Sequence, residues 1–420
     1  MSILILHRNP LQPYPYDSWL ADYEGDVVLL AARDKIELFG EQVPTGNLGY
    51  RRLELLDTFD DEELVLRRAL ELAAEYDVEH VIAFQEGDLQ RAAWLREKLD
   101  LPGQLPDDVL PFRDKVLMKQ RVRAAGIEVA PHTVPRNAAD VGEFAARHGF
   151  PLVFKERDGF GSIGLRIVRD EAELARQVAE EFGPHRTPRE DLLLEAYVPG
   201  RMCHVDGLVV DGRIAFAWPS QYQYDLSSFQ SDSGARIDLT LDPEDPLTER
   251  LLALTERFLG ALQGGTEHYA FHAEVFHTPD DRLVFCEVAS RPGGARIRDV
   301  MLAVFGVNPA EYAARAAVGL PLPALEALTG GERLAPRRMA GQLLMMKRPG
   351  RVIGVPAPPA DPWVEFCAVF VKPGDVMGEA SISSDFLSAA VLSAPTREEC
   401  ERRLRALGDR FEAETVIDAG

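Results

Sequence analysis

The sequence predicts a multidomain protein of mixed α/β and α+β class. Strand-type and helix-type segments alternate over about the first 100 residues, and two strand-type segments flank a glycine-rich loop within residues 153–168. Further strand-type segments precede a long helical pattern after residue 335. A chain of 420 residues, with 46% apolar and 27% charged residues, is long enough for about three domains with buried cores. We expect these domains at residues 1–100, 101–330 and 331–420.

Charge and cysteine usage exclude several classes of function. The chain carries 46 basic and 68 acidic residues, a net charge of −22, which disfavours non-specific binding to nucleic acid or anionic membranes. No apolar run approaches the roughly 18 residues of a membrane span. The cysteines show no C-x-x-C spacing, so neither a zinc site nor a disulfide framework is indicated, and we expect reduced thiols and a cytoplasmic location. They are Cys203, Cys286, Cys367 and Cys400.

Strand and helix patterns alternate with short links at the N-terminus. Ser2 to Leu6, Asp26 to Ala32 and Val78 to Phe84 have the composition of buried strands, and Glu62 to Tyr76 has apolar residues at helical spacing. This alternation favours a parallel, Rossmann-like domain over about residues 1–100. Glu86 follows the last strand, where α/β sheets bind ligands, and is a candidate substrate contact. The alternative is a polar loop with acids at a helix start.

The second region opens with a lysine in an unusual place. After a proline-punctuated link, a helical pattern runs from Lys115 to Gly126, which is suited to end the helix. Lys115 lies in the first turn, where the helix dipole disfavours a cation. A bound anion nearby would compensate for this unfavourable interaction.

The glycine-rich loop joins two strand-type segments, Pro151 to Lys155 and Leu165 to Val168. Gly159, Gly161 and Gly164 match G-x-G-x-x-G, but the dinucleotide-binding form of that pattern is followed by a helix, and here a strand follows. We therefore expect a hairpin whose tip lacks Cβ atoms and can close its backbone N–H groups over a phosphate chain. The alternative is a flexible hairpin beside a surface lysine.

Two acidic residues lie on neighbouring predicted strands. Glu274 and Glu287 are thirteen positions apart across a Pro-Asp-Asp turn, so paired strands can present both carboxylates from one face. Carboxylates on a rigid face suit Mg²⁺, which completes its octahedron with substrate phosphates. Arg291 follows four residues after Glu287. The alternatives are surface acids and a structural salt-bridge arginine.

In this order along the chain, these elements resemble the ATP-grasp superfamily, in particular its carboxylate–amine ligases of the amino-acid ligase and biotin carboxylase-like branch. The order is Lys115, Lys155, the glycine hairpin, the Glu195-Ala-Tyr-Val198 strand, and the Glu274/Glu287 pair followed by Arg291. The resemblance implies an ATP-grasp fold with a glycine-rich lid at about 130–198, between the Rossmann-like domain and a small C-terminal α+β domain.

The resemblance also implies roles for individual residues. Lys115 and Lys155 would contact the ATP phosphates, and Glu195 would meet the adenine amino group. Glu274 and Glu287 would hold Mg²⁺, and Arg291 would be the catalytic residue at the reacting centre. The full set of implied nucleotide contacts is Lys115, Lys155, Gly159, Phe160, Gly161, Ser162, Gly164, Glu195, Ala196 and Val198.

The chain departs from the family pattern at two positions. Met202 stands where the family usually has a ribose-binding glutamate, so we expect His204 or Asp206 to take the ribose hydroxyls. Glu287-Val-Ala289 stands where Glu-x-Asn is usual, so one metal ligand is missing and one or two Mg²⁺ ions remain open.

Two further residues are candidates for contact with a substrate. His272 lies two residues before Glu274 on the same strand face, and the alternative is a core histidine. Arg296, with Arg298, can face a substrate carboxylate, and the alternative is a surface role at a helix start.

The predicted function is an ATP- and Mg²⁺-dependent ligase that joins a small carboxylate to an amine and releases ADP and phosphate. Amino acids or peptides are the expected substrates, and the resemblance implies a homodimer. The first alternative is a carboxylase of biotin carboxylase type. The second is an ATP-binding protein without ligase activity, motivated by Met202 and Ala289.

Overall fold

A computed structural model describes residues 1–38, 40–183, 189–225, 234–265, 267–328, 336–380 and 385–419, without the side chains of 326–328. The boundary expected between residues 330 and 331 lies outside these described residues. Among the helices of the described ranges, none combines the length and the apolar character that crossing a membrane requires.

The N-terminal part forms a parallel sheet. Its elements are β1 (Ser2–His7), α1 (Tyr16–Trp19), β2 (Asp26–Ala32), α2 (Arg33–Leu38), β3 (Arg52–Leu56), α3 (Glu62–Tyr76), β4 (Val78–Ala83) and α4 (Leu89–Leu99). The strand order is β3-β2-β1-β4, and all three pairs are parallel. Helix α3 begins where the Asp61 side chain accepts a hydrogen bond from the Leu64 N–H. Because β1 and β4 are parallel neighbours, the residues that follow them meet at one edge of the sheet.

The next part forms a four-stranded antiparallel sheet. Its elements are α5 (Pro106–Val109), α6 (Lys115–Ala124), β5 (His132–Thr133), α7 (Ala138–His148), β6 (Leu152–Glu156), β7 (Arg166–Val168), α8 (Glu171–Phe182) and β8 (Leu192–Ala196). The strand order is β5-β8-β6-β7, and β6 pairs antiparallel with β7. The glycine-rich segment therefore joins two strands, as expected. Val141 and Phe144 of α7 pack on Phe154 and Leu194 of this sheet.

An eight-stranded sheet lies at the centre of the molecule. Its first elements are β9 (Arg201–Val210), β10 (Arg213–Tyr222), β11 (Arg236–Thr240), α9 (Pro246–Leu262), β12 (Tyr269–His277), β13 (Leu283–Ala289), α10 (Ile297–Phe305), α11 (Pro309–Ala317) and α12 (Pro323–Leu328). Asp211 and Gly212 join β9 to β10 with φ of 49° and 70°, the conformation that a tight two-residue hairpin requires. Helix α9 packs Leu251 and Phe258 against the sheet.

The C-terminal part continues the same sheet. Its elements are β14 (Met339–Met346), β15 (Gly350–Gly354), β16 (Val364–Val369), β17 (Val376–Met377), β18 (Phe386–Ala394), α13 (Arg397–Glu414) and β19 (Val416–Asp418). The central order is β13-β12-β9-β10-β11-β14-β18-β16, and β17-β15-β19 form a separate small sheet. A Cβ atom on Gly341 would lie 2.4 Å from the Asp238 carbonyl oxygen, so glycine permits the approach of β14 to β11.

Candidate active site

The glycine-rich loop and the start of α6 are in direct contact. The Asp114 side chain caps α6 by accepting hydrogen bonds from the Val116 and Leu117 N–H groups, which places Lys115 in the first turn. The Lys115 amine donates to the Gly159 carbonyl oxygen. Positive φ angles, which glycine adopts without strain, occur at Gly161 and Gly164, and Ser162 between them also has a φ of 61°.

A buried ionic network lies beneath this loop. Lys119, one helical turn after Lys115, is fully buried, and its Nζ is 3.0 Å from Glu195 Oε1. The Lys155 Nζ is 2.9 Å from Glu195 Oε2. Burial disfavours the charged carboxylate of Glu195, but the two ammonium groups outweigh this effect and lower its pKa to about 2. The Glu195 carboxylate is therefore paired with two lysines, and its contact with an adenine amino group stays a prediction.

Glu287, on the edge strand β13 of the central sheet, lies close to two of the lysines. Its Oε2 lies 3.8 Å from the Lys155 Nζ and 3.9 Å from the Lys115 Nζ. Burial disfavours ionisation of Glu287, but these ammonium groups lower its pKa. The carboxylates of Glu195 and Glu287 likewise overcome the effect of burial on Lys155 and raise its pKa. Lys155, Glu195 and Glu287 are therefore charged at neutral pH.

Glu274 and Glu287 are directly opposed on β12 and β13. Directly opposed residues of an antiparallel pair project from the same face of the sheet, so the two carboxylates share one face. One third of the Glu287 side chain is exposed, and the Glu274 Oε1 lies 3.6 Å from the His272 Nε2. Two carboxylates on rigid strands near a cationic cluster match the donor set that Mg²⁺ uses beside substrate phosphates.

Arg291 is held by the N-terminal sheet edge. Its Nε donates to Glu86 Oε2, and Arg113 donates to Glu86 Oε1. Burial raises the pKa of Glu86, but Arg291 and Arg113 reverse this effect and lower it. Glu86 was predicted as a substrate contact, but it is buried with both oxygens bound by arginines. Glu86 thus fixes the Arg291 guanidinium by a hydrogen bond, and its contact with a substrate stays a prediction.

Part of these networks lines one cavity, whereas Lys155, Glu195 and Glu274 lie outside its lining. Its lining combines the lid loop, the start of α6, β13 and the arginine–glutamate network. The lining residues are Glu86, Phe112, Arg113, Lys115, Met118, Phe160, Gly161, His272, Glu287, Val288, Ala289 and Arg291.

His204 belongs to a second cluster, which is buried in the central sheet. Its ring is fully buried, with Nδ1 2.5 Å from Asp206 Oδ2 and Nε2 2.9 Å from Asp238 Oδ1. Burial favours the neutral ring, but the two carboxylates raise the His204 pKa to about 10. His204 and Asp206, which were predicted to contact a ribose, thus bind one another inside the sheet, and the ribose contact stays a prediction.

His272 connects the buried cluster to the cavity. Its Nδ1 lies 2.9 Å from Asp206 Oδ1 and its Nε2 faces Glu274. Burial lowers the His272 pKa, but Asp206 outweighs it and raises the pKa to about 9. Because the side chain is 11% exposed and lines the cavity, His272 remains a predicted substrate contact.

Arg296 is occupied by protein groups. Its guanidinium lies 3.6 Å from the centre of the Phe366 ring and 3.4 Å from Asp299. The side chain is mostly buried, so the alternative of a surface residue does not hold. The contact of Arg296 with a substrate carboxylate stays a prediction.

The backbone of the predicted adenine segment is only partly free. The Ala196 N–H donates to the Pro131 carbonyl oxygen, which ties the end of β8 to the segment before β5. Val198 follows β8 in the link to β9 and is half-buried. Both residues stay predicted nucleotide contacts.

Sequence reasoning missed Lys119, Arg113 and Asp238. Lys119 had a detectable signal, because its i+4 spacing from Lys115 places both amines on one face of α6. Arg113 and Asp238 had no detectable sequence signal. Arg113 is 27 residues from its partner Glu86, and Asp238 is 34 residues from its partner His204.

Two family models match parts of the chain. Residues 114–210 match the ATP-binding domain of the carbamoyl-phosphate synthase L chain, and residues 342–416 match the L-amino acid ligase C-terminal domain 2. The first match contains Lys115, the glycine-rich loop, Lys155 and Glu195.

Similar sequences come from characterised ligases. The chain is 22% identical over 256 residues to the L-arginine-specific L-amino acid ligase of Bacillus subtilis, covering 60% of this chain and 61% of that protein. It is 29% identical over 196 residues to D-alanine--D-alanine ligase A of Chromobacterium violaceum, covering 44% of this chain and 51% of that protein. The chain thus spans less than two thirds of either relative.

Similar folds extend over the whole chain. The L-amino acid ligase of Bacillus licheniformis superposes with a TM-score of 0.75 at 18% identity, covering 100% of this chain and 98% of that one. The biotin carboxylase domain of Hydrogenobacter thermophilus 2-oxoglutarate carboxylase gives 0.70 at 16% identity, covering 99% and 90%. Together, the two family models and these superpositions confirm the resemblance to the ATP-grasp superfamily, and the superpositions show a shared fold.

Proposed function

We propose that this protein is an ATP- and Mg²⁺-dependent carboxylate–amine ligase that forms an amide or peptide bond through an acyl phosphate. One observation carries the proposal: the Lys115 and Lys155 amines lie within 4 Å of Glu287 beneath the glycine-rich loop. The names of the amino acid ligase and D-alanine ligase relatives support the same chemistry.

The lysine network is suited to bind a triphosphate. Three lysines of this network face two glutamates, so an excess of positive charge remains at the cavity. Gly161 and Phe160 also line the cavity, and the glycines of this loop let its backbone N–H groups approach phosphate oxygens. Such a lid also excludes water from an activated carboxylate, which would otherwise be hydrolysed.

Glu274 and Glu287 fit Mg²⁺ as hard oxygen donors on rigid neighbouring strands. When bound there, Mg²⁺ neutralises charge on the transferring phosphoryl group. Ala289 offers no third side-chain ligand, so the ion would depend more on substrate oxygens. Glu287 has the exposed carboxylate and is the principal protein ligand in this proposal.

The reaction follows from this placement of charge. A donor carboxylate oxygen attacks the γ-phosphorus, the bond to the β,γ-bridging oxygen breaks, and ADP leaves with that electron pair. The amine then attacks the acyl carbon, loses a proton, and the bond to the phosphate oxygen breaks. Lys115 and Lys155 stabilise the transferring phosphate, and Arg291, oriented by Glu86, stabilises the negative charge on the tetrahedral oxygen.

The N-terminal sheet supplies the second wall of the substrate site. Its strand order and parallel pairing agree with a Rossmann-like domain, whose ligands bind at the carboxyl edge that carries Glu86. Amino acids or short peptides are the proposed substrates, in line with the names of the ligase relatives. A homodimer is also proposed, as in the dimer named for the biotin carboxylase neighbour.

Amine-dependent release of ADP tests the proposal. The protein is incubated with MgATP and pairwise mixtures of the twenty L-amino acids, and ADP, phosphate and ligated product are measured. We expect one ADP per amide bond and loss of turnover in Arg291→Ala, with Lys98→Ala, an exposed lysine, as the matched control. ADP release that requires bicarbonate and biotin, or nucleotide binding without turnover on any pair, would contradict it.

A further inference from the structure

Arg298, in the first turn of α10, is a buried cation without an acidic partner. Its residue exposure is 8%, and its guanidinium lies 4.2 Å from the centre of the Tyr14 ring. Within the part of the chain that the structure describes, no carboxylate lies within 4 Å of Arg298, and it makes no hydrogen bond. A buried guanidinium normally has a paired anion, because burial without one is costly.

The surroundings of Arg298 add positive charge. Burial lowers the pKa of Arg296. The Asp299 carboxylate partly offsets this effect, and the nearby Arg298 lowers the pKa further. Asp299 is paired with Arg296 at 3.4 Å. Burial lowers the pKa of His7, whose ring packs edge-on against Tyr14, to about 4, so that ring is neutral at pH 7. Two arginines therefore face a single carboxylate here.

Arg298 lies at the edge of the N-terminal sheet that also holds the catalytic arginine. Tyr14 packs against His7, the last residue of β1, with ring centres 5.3 Å apart. β1 pairs in parallel with β4, and Glu86, three residues after β4, binds Arg291. Arg298 and Arg291 thus flank the carboxyl ends of the same two strands.

We propose that Arg298 binds the unreacted carboxylate of the amino acid that supplies the amine. This inference rests on the proposed ligase function. The planar fork of a guanidinium matches a carboxylate with two parallel hydrogen bonds, and Tyr14 holds its plane from one face. The activated carboxylate reacts beside Arg291 and the lysines, so a second cation with a vacant fork selects an acceptor that carries its own carboxylate.

Binding of matched acids and amides tests this without requiring turnover. The twenty L-amino acids and their C-terminal amides are used as probes, and binding to wild type and Arg298→Gln is measured by calorimetry and thermal shift in the presence of MgADP. We expect wild type to bind at least one free acid about 10- to 100-fold more tightly than its amide, the range for hydrogen bonds to charged groups. Arg298→Gln should abolish that preference, and Arg298→Lys should restore part of it.

Arg257→Gln, an exposed arginine of α9, is the matched control and should bind like wild type. Equal affinity of wild type for every acid and its amide, or a preference that survives in folded Arg298→Gln, would overturn the assignment. Failure of the ligase proposal is separate: it would show as an absence of amine-dependent ADP release although the acid–amide preference is present and depends on Arg298.

Discussion

Two charged clusters meet at the centre of this protein and differ in their charge balance. The lysine cluster consists of Lys115, Lys119, Lys155, Glu195 and Glu287, and it opens to the cavity. The histidine cluster consists of His204, Asp206, Asp238, His272 and Glu274, and it lies mostly inside the sheet. They touch where Glu287 opposes Glu274 on neighbouring strands.

The lysine cluster has a surplus cation that a bound anion can pair with, whereas the His204 ring of the histidine cluster is paired within the protein. Three cations face two carboxylates in the lysine cluster, and its surplus charge lies beneath a glycine-rich loop. In the histidine cluster, both nitrogens of His204 already face carboxylates, so the hydrogen bonding of this ring is satisfied within the protein. Perturbed pKa values occur in both clusters, and contact with the cavity distinguishes Glu287 and His272 from the enclosed His204.

Glu287→Gln, in the lysine cluster, is expected to have the largest effect on activity. The change removes the carboxylate that joins the lysine cluster to the proposed metal position, so we expect kcat/KM to fall about 10²- to 10³-fold. The Mg²⁺ concentration for half-maximal turnover should rise at least about 10-fold, measured by ADP release in a Mg²⁺ titration. Glu401→Gln, on the surface of α13, is the control. An unchanged Mg²⁺ dependence would remove Glu287 from the metal site.

Lys119→Met tests whether the base of the lysine cluster is structural. The substitution leaves Glu195 buried with one cation fewer, so the free energy of unfolding should fall by about 3–5 kcal/mol in urea titrations. Combining it with Glu195→Gln removes the uncompensated charge and should recover a large part of the loss. A single variant as stable as the exposed control Lys98→Met would show that the buried pair contributes nothing.

The histidine cluster predicts a smaller effect, visible in the pH dependence of stability. The pKa values of His204 and His272 are raised to about 10 and about 9, above the ordinary value of 6.5. The stability that the two protonated rings give to the folded protein is therefore fully present below pH 6.5. It is lost as the pH rises through 9 and 10. We expect the free energy of unfolding of wild type to fall between pH 7 and 10 by about 1 kcal/mol more than that of His204→Gln.

His268→Gln is the control for that experiment, because the His268 ring is partly exposed and outside the cluster. Parallel pH profiles for wild type and His204→Gln would mean that His204 is not held protonated by Asp206 and Asp238. The two clusters would then not differ in the way described above.

Local patterns in the sequence predicted the parts of the site that depend on nearby residues. The hairpin around the glycine-rich loop and the facing positions of Glu274 and Glu287 follow from strand alternation and short turns. The position of Lys115 follows from the cap at Asp114. Each of these features is fixed within about twenty residues of chain.

The features that sequence could not predict depend on long-range pairing. Glu86 was expected to contact substrate, but it binds Arg291, which is 205 residues away. Glu195 was expected at the adenine, and the structure adds ion pairs with Lys119 of α6 and Lys155 of β6 that the sequence did not indicate. The pairing of β11 with β14 also joins the C-terminal strands to the central sheet, which hydrophobic patterns alone do not indicate.

Calorimetric titration of MgADP into wild type and the Lys115→Ala/Lys155→Ala variant tests the central claim most directly. If the two ammonium groups bind nucleotide phosphates, losing both charge-assisted contacts should raise Kd at least about 100-fold. Circular dichroism would confirm that the variant is folded. A folded double variant that binds MgADP within about twofold of the wild-type Kd would contradict the claim that these lysines form a nucleotide site.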